Sequence, residues 1–199
     1  ISSYSILSVD YDDFGNIWIG GLNGLEKFRD TTWIKYDTLN SGLPSNVVYQ
    51  VEIDKQQNVW VGTEKGLAKF NGQTWTVFST QNSNIGENFI HHFSIDKKNE
   101  IWLSNSLGIY RFDGTSWYNY NENNSPLPNN FVNVIRIDGY NNKWLGVSNG
   151  GLVRIDSVGE WTVYNEDNSD LLHNNVMSLF IDNNNNKWIG TQIGLNVFN

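Results

Sequence analysis

The sequence contains no cysteine in its 199 residues, and basic residues are in the minority. The missing cysteine excludes disulfides, thiolate metal sites and cysteine nucleophiles. The formal net charge of −8 argues against a nucleic-acid partner, because proteins that bind phosphate backbones usually present a basic face. No apolar run approaches the roughly 20 residues of a membrane-spanning helix, so membrane insertion is not expected. The chain starts at Ile1 without a leader pattern, so we expect a processed chain or a piece of a longer one.

Tryptophan is abundant, and its positions define a repeat. Five anchor tryptophans are separated by 42, 42, 42 and 44 residues: Trp18, Trp60, Trp102, Trp144 and Trp188. A second tryptophan follows the anchor by 15 residues in three repeats and by 17 residues in the fourth. We place the two additional residues of the fourth repeat at the doubled glycine Gly150–Gly151 and within Asp156–Glu160. A period of this length indicates an array of small structural units.

Other positions keep the register of the anchor tryptophan, and we assign them to the framework of the repeat. An aspartate lies six residues before the anchor in every copy: Asp12, Asp54, Asp96, Asp138 and Asp182. It precedes a polar turn, which we expect it to cap through backbone N–H groups. Asparagine lies two residues before the anchor in four copies, and Glu100 takes that place in the third.

One period is predicted to contain four short strands. In the second copy, strand A covers residues 47–54, strand B 58–63, strand C 67–70 and strand D 75–78, with a turn at Gly66 that suits positive φ. Four antiparallel strands per period predict an all-β fold, a β-propeller of about five blades. We treat residues 1–199 as one propeller domain or propeller segment, with repeats at approximately 1–42, 43–84, 85–126, 127–170 and 171–199. The last blade lacks its outer strand.

Three arrangements of the blades are consistent with this pattern. The chain forms a five-blade ring with a three-stranded last blade, or it is a segment of a larger ring, or two copies complete each other. The repeats alone do not choose among them.

The motif Trp60-Val61-Gly62-Thr63-x-x-Gly66-Leu67 recurs from Trp188 to Leu195, after an Asp-x-x-x-Asn-x-Trp pattern. With the segment Gly42–Val47, these motifs resemble the two-component regulator propeller repeat. That resemblance implies an extracytoplasmic sensor or binding module of bacteria, periplasmic or secreted, often linked to polysaccharide fragments. The Asp-x-x-x-Asn-x-Trp pattern is also similar to the repeats of streptogramin B lyase, a propeller enzyme.

Residues that differ between blades are the candidates for an asymmetric ligand site. The three histidines belong to this group, as do Tyr49 on strand A and one strand-A column that includes Glu52 and Arg136. We expect that column to line a solvated channel, where Glu52 and Arg136 interact, since a buried charge needs water or a partner. The turns between strands B and C also vary from blade to blade. The candidate ligand-binding residues are Tyr49, Glu52, Glu64, Lys65, His91, His92, Arg136, Asn149, His173 and Gln192.

The loops between strands D and A combine asparagine with tyrosines such as Tyr36, Tyr118, Tyr120 and Tyr164. Amides and aromatic faces suit carbohydrate, although asparagine is also a common turn former. Three histidines without carboxylates at regular spacing are weak evidence for a metal, and the segment Asp182–Asn186 lacks the glycine and closing glutamate of an EF-hand. We therefore expect no metal and no cofactor.

The leading hypothesis is a non-catalytic binding or sensing module for an oligosaccharide or a protein partner. One alternative is a lyase-type enzyme that uses His91, His92 or His173 with Glu52 as acid and base. Another is a scaffold that binds other proteins on a flat face, or assembles with itself to complete the ring.

Overall fold

The computed structural model describes residues 5–199, and all their regular secondary structure is β. Nineteen strands form five separate antiparallel sheets, four with four strands and one with three. In each sheet the strands are paired in chain order, so every sheet is a simple meander of strands A, B, C and D. Residues 5–199 include no helix with the length and apolarity needed to cross a bilayer.

The five sheets correspond to the five repeats. The first blade contains β1 (Ile6–Tyr11), β2 (Ile17–Gly21), β3 (Gly24–Arg29) and β4 (Thr32–Tyr36). The second contains β5 (Val48–Ile53), β6 (Val59–Thr63), β7 (Gly66–Phe70) and β8 (Trp75–Phe78). The third contains β9 (His92–Ile95), β10 (Ile101–Asn105), β11 (Gly108–Phe112) and β12 (Trp117–Tyr120). The fourth contains β13 (Val132–Ile137), β14 (Lys143–Val147), β15 (Gly151–Ile155) and β16 (Trp161–Tyr164), and the fifth β17 (Val176–Ile181), β18 (Lys187–Thr191) and β19 (Leu195–Phe198).

The predicted strands of the second blade are confirmed to within one residue at each end, and the fifth blade has three strands as predicted. The turn glycine before strand C has the expected left-handed backbone, with φ of 125° at Gly66. In the fourth blade Gly151, rather than Gly150, takes this role, with φ of 84°. The doubled glycine therefore lengthens the turn by one residue and leaves strand C in register.

The chain divides into two compact units, one ending at His91 and the other covering residues 92–199. In the first unit, Trp18 of the first blade packs with Val48, Val51 and Val61 of the second. In the second unit, residues of the third and fourth blades share one apolar cluster, and those of the fourth and fifth share another. Each sheet thus gains burial by covering its neighbour in the chain, as expected for blades that cannot bury both faces alone.

An arrangement that recurs between blades joins the aspartate of the repeat to its anchor tryptophan. Oδ1 of Asp54 accepts the backbone N–H groups of Gln56 and Asn58, at 2.9 and 2.8 Å. Oδ2 accepts the Asn58 amide at 2.8 Å and the indole N–H of Trp60 at 2.9 Å. The prediction that this aspartate caps the turn between strands A and B is confirmed, and the carboxylate also fixes the indole. We call this arrangement the Asp–Trp clasp.

Candidate functional site

In the first unit, polar residues on strand A of the first blade bond to strand A of the second. The Ser8 hydroxyl accepts the Val51 N–H at 3.0 Å, and Asp10 Oδ2 accepts the Ile53 N–H at 2.8 Å. Burial raises the pKa of Asp10, and the hydrogen bonds from Tyr11 and Ile53 oppose that rise. Asp10 belongs to the column of Glu52 and Arg136, so bonds between adjacent blades account for part of this column's polarity.

His92 and Arg136 form the corresponding link in the second unit. Nε2 of His92 lies 2.8 Å from Nη1 of Arg136, and Nδ1 lies 3.3 Å from the Ile135 nitrogen. A neutral imidazole accepts only one of these two hydrogen bonds at a time. Arg136 also donates to the Ile135 carbonyl oxygen at 2.9 Å. His92 therefore joins strand A of the third blade to strand A of the fourth.

Three aromatic side chains of the first unit lie together near the start of strand A of the second blade. The Tyr49 and Phe89 ring centroids are 5.0 Å apart, and those of Phe89 and His91 are 6.5 Å apart. Phe89 and His91 are exposed and Tyr49 is half-buried. We call Tyr49, Phe89 and His91 the rim group. Sequence reasoning selected Tyr49 and His91 and missed Phe89, although its column varies: Val47, Phe89, Phe131 and Asn175.

Three other candidates of the first unit lie on strand A or on the B–C turn of the second blade. Glu52 accepts the side-chain amide of Gln50 at 2.9 Å. Glu64 and Lys65 are exposed in the turn, and Glu64 accepts the Ser45 hydroxyl at 2.9 Å. Glu52 and Arg136 belong to different units, and their predicted interaction stays a prediction.

The remaining candidates lie in the second unit. His173 Nδ1 accepts the Asn175 backbone N–H at 2.9 Å, and Gln192 accepts the Asn175 side-chain amide at 3.3 Å. Asn175 thus links the loop of His173 to the B–C turn of the fifth blade. Asn149 is exposed with φ of 52°, a conformation that asparagine adopts more readily than most residues. The positive φ that this turn requires therefore explains the choice of asparagine at position 149.

The asparagines of the D–A loops hold these loops together. The side-chain oxygen of one asparagine in each loop accepts a backbone N–H eight residues earlier: Asn46 from Thr38, Asn88 from Thr80, Asn130 from Glu122 and Asn174 from Glu166. The tyrosines are used similarly, since Tyr36, Tyr120 and Tyr164 stack on anchor tryptophans of their own blades. Tyr118 is exposed and lies against Arg111. Most loop residues that suggested carbohydrate therefore serve the fold.

Among residues 5–199, no group of three or more histidine and carboxylate side chains is placed to hold a metal ion.

Solved structures with this fold place the chain in the β-propeller class. An extracellular domain from B. thetaiotaomicron, assigned to a hybrid two-component system, matches with a TM-score of 0.82 and 23% identity, over 100% of this chain and 29% of that one. PorZ, a surface component of the type-IX secretion system of Porphyromonas gingivalis, matches with a TM-score of 0.76 and 19% identity, over 97% and 32% of the two chains. Streptogramin B lyase matches with a TM-score of 0.73 and 13% identity, over 100% and 70%.

Residues 42–65 match the family model for the two-component regulator propeller. This segment runs from the end of the first D–A loop to the B–C turn of the second blade, and it confirms the resemblance seen in the motifs. No curated protein sequence matches the chain. The chain spans less than a third of the length of the first three structures that it matches.

Proposed function

We propose that this chain is a non-catalytic propeller module that binds or senses a ligand outside the cytoplasm, and that its ligand is an oligosaccharide. Its repeat matches the two-component regulator propeller, and three structures with its fold are extracellular domains of bacterial one- or two-component systems. The similarity is at the level of fold, so the ligand must be argued from the residues of this chain.

The observation that carries the proposal is the rim group. Phe89 is 37% exposed, and its ring centroid lies 5.0 Å from that of Tyr49 and 6.5 Å from that of His91. Tyr49 and His91 differ from their counterparts in the other blades, and Phe89 shares its residue type with Phe131 of the fourth blade, so the repeat does not explain the group as a whole. The apolar face of a sugar ring stacks on solvent-exposed aromatic rings of this kind.

Polar groups of the second blade complement these rings. Glu64 and Lys65 are exposed on the B–C turn, at the end of the sheet from which strand A starts. Glu64 is oriented by the Ser45 hydroxyl, and the Lys65 N–H is held by Thr63 Oγ1 at 3.1 Å. A carboxylate acceptor and an ammonium donor at the same end of the sheet as Tyr49 supply both kinds of polar contact that a hydroxylated ring requires.

The test is a thermal-shift and calorimetric screen with four probes: cellohexaose, xylohexaose, laminarihexaose and maltohexaose. A probe at about 100 times its dissociation constant should add roughly 2.7 kcal/mol of stability. Phe89→Ala should weaken binding by up to about tenfold, since stacking on one aromatic face contributes about 0.5–1.5 kcal/mol. Tyr140→Ala removes an exposed ring from the A–B turn of the fourth blade and is the control.

Equal binding by wild type and Phe89→Ala would reject the rim group as the site. Failure of all four sugars to bind, together with capture of a defined peptide from a periplasmic or surface protein, would replace the sugar with a protein partner. The lyase hypothesis gains no support from His92, whose ring links two strands.

A further inference from the structure

The third blade is exceptional because its Asp–Trp clasp is open. In the other blades the indole N–H of the anchor donates to the aspartate at 2.9–3.0 Å. In the third blade, Oδ2 of Asp96 instead lies 3.0 Å from Nζ of Lys143 and accepts the Asn141 amide at 3.4 Å. Trp102 is only 4% exposed, and its indole N–H has no hydrogen-bond partner. Buried polar groups nearly always have one, so this donor requires an explanation.

Comparison with the next pair of blades identifies the substitution responsible. Lys187 lies over the ring of Trp144 at 5.1 Å, just as Lys143 lies over the ring of Trp102 at the same distance. The clasp of Trp144 is nevertheless closed, so a lysine at this position does not open it. The difference is Glu100, which replaces the asparagine that donates to the aspartate in the other blades. A carboxylate cannot donate, and Asp96 takes Lys143 and Asn141 as donors.

A cleft of about 170 Å³ lies between the third and fourth blades at this position, within the second unit. Trp102, Tyr120 and Trp161 supply aromatic surface to its walls, and Glu100 and Arg111 supply polar groups. The hairpin residues Asp156 to Gly159 form another wall. The loop between strands C and D has five residues here and four in the second and third blades. Two departures from the repeat, the open clasp and the longer hairpin, therefore meet at one cleft.

The polar groups of the cleft indicate the chemistry of its ligand. Lys143 is paired with Asp96, and Nε of Arg111 lies 3.7 Å from Glu100 Oε2, so opposite charges are already close together. Among the residues that line the cleft, two buried N–H donors have no hydrogen-bond acceptor, namely Nε1 of Trp102 and Nε of Arg111. The cleft therefore suits a neutral ligand with acceptor oxygens. Its volume corresponds to about five or six waters at roughly 30 Å³ each, or to one small ring.

We propose that this cleft is a second binding site, for a single neutral hydroxylated ring of hexose size. Trp102 and Arg111 donate hydrogen bonds to its oxygens, and the aromatic walls cover its apolar face. The choice of a sugar rests on the proposed function, whereas the position of the site rests on the open clasp and the cleft beside it. The rim group lies in the other unit, so the two sites are tested by different variants.

The orphaned indole provides a direct readout. The indole N–H signal of Trp102, assigned in the proton–nitrogen NMR spectrum from its loss in Trp102→Phe, should move in a saturable way on titration with glucose, galactose, mannose or N-acetylglucosamine. The signal of Trp60, whose clasp is closed, should stay in place. Glu100→Asn should rebuild the clasp, and it should weaken binding of the sugar about tenfold, as expected when one donor is lost.

Arg111→Lys tests the other donor, because lysine keeps the charge and removes the Nε–H group. It should also weaken binding about tenfold. Arg154→Lys changes the equivalent residue of the fourth blade, which does not line the cleft, and should bind as wild type. Glu100→Asn and Arg111→Lys are checked for folding by the dispersion of the other indole signals.

No movement of the Trp102 signal with any of the four sugars would overturn the proposal, as would equal binding by folded Glu100→Asn. If hexaoses bind and Phe89→Ala abolishes that binding while the Trp102 signal stays still, the proposed function stands and the cleft site is rejected. If a monosaccharide moves the Trp102 signal and no hexaose depends on Phe89, the cleft is supported and the rim group is rejected.

Discussion

One carboxylate per blade closes the turn between strands A and B, and in every blade except the third it also fixes the anchor indole. Asp138 illustrates its electrostatics. Burial alone would raise the pKa of Asp138, but hydrogen bonds from Trp144, Asn142 and Tyr140 outweigh burial and lower it. The pKa of Asp96 is also lowered, because Lys143 and backbone N–H groups overcome the same effect of burial. Asp138, in a closed clasp, and Asp96, in the open one, are therefore both stabilised in the ionised form.

We predict that replacing the anchor tryptophan by phenylalanine has different effects in the second and third blades. Trp60→Phe removes a hydrogen bond from a buried carboxylate, whereas Trp102→Phe removes a donor that has no partner. Both changes leave a similar cavity, so their difference isolates the hydrogen bond. Trp60→Phe should be more destabilising by about 1–3 kcal/mol, measured by urea unfolding. Equal losses would show that the hydrogen bond from the indole contributes nothing to stability.

The clasps also predict acid sensitivity. The pKa values of Asp12 and Asp138 are lowered in the folded protein, and that of Asp182 falls to about 2, chiefly through hydrogen bonds from Trp188 and Asn186. An aspartate in the unfolded chain has a pKa of about 3.9. The clasps thus stabilise the fold fully above that value, and this stability is lost as the pH falls through the lower folded values.

Thermal unfolding between neutral pH and about pH 2 measures this loss. Asp138→Asn should be less stable than wild type at neutral pH, and its stability should change less on acidification. Asp167→Asn, at an exposed loop position, is the control and should keep the pH dependence of the wild type. A steeper acid loss in Asp138→Asn would contradict the role assigned to its carboxylate.

At the scale of elements, strand B of the first blade closely approaches strand A of the second, and strand B of the fourth blade closely approaches strand A of the fifth. A Cβ added to Gly146 would lie 2.6 Å from Val134 Cγ1 and 2.7 Å from Val176 Cγ1, so it would meet its own blade and the fifth. The glycine column two residues after the anchor therefore reflects contact between blades. In the third blade Ser104 occupies this column, and its hydroxyl donates to the His92 carbonyl oxygen at 3.3 Å.

We predict that Gly146→Ala destabilises the second unit by about 1–3 kcal/mol, the usual effect of overpacking a close contact. Chemical denaturation followed by tryptophan fluorescence measures the change. Ser104→Ala alters the same column without adding an atom and should lose no more than a weak hydrogen bond. A neutral effect of Gly146→Ala would mean that the fourth and fifth blades separate easily.

At the scale of the whole molecule, the first and last blades each leave one apolar face exposed. Trp188 is 39% exposed, compared with 5% for Trp144, and Leu195 is 58% exposed, compared with 0% for Leu152. On the first blade Val9 is 57% exposed, whereas its counterpart Val51 is 2% exposed because it packs against Trp18. The exposed surface around Val9 on the first blade is thus equivalent to the surface of the second blade that covers Trp18. The fifth blade exposes its own anchor tryptophan, Trp188.

We predict that copies of this chain associate head to tail through these two faces, the heterologous mode that generates rings or filaments. Sedimentation velocity should show concentration-dependent oligomers. Leu195→Lys on the fifth blade and Val9→Lys on the first should each reduce association, and an equimolar mixture of the two variants should form dimers through the remaining wild-type faces. Val158→Lys, at an exposed hairpin position, is the control. A monomer at all concentrations would contradict this prediction.

The amino-acid sequence by itself determined the repeat, the number of blades, the strand limits and the aspartate that caps each turn. It could do so because these features depend on local periodicity and on contacts between residues close in the chain, such as Asp54 and Trp60. Tertiary structure decided which variable residues meet. Phe89 joins the rim group through a ring 40 residues away, His92 bonds to the next blade, and Lys143 replaces Trp102 at Asp96 from the following blade. Such contacts depend on how one sheet packs against the next, which no pattern within a single repeat records.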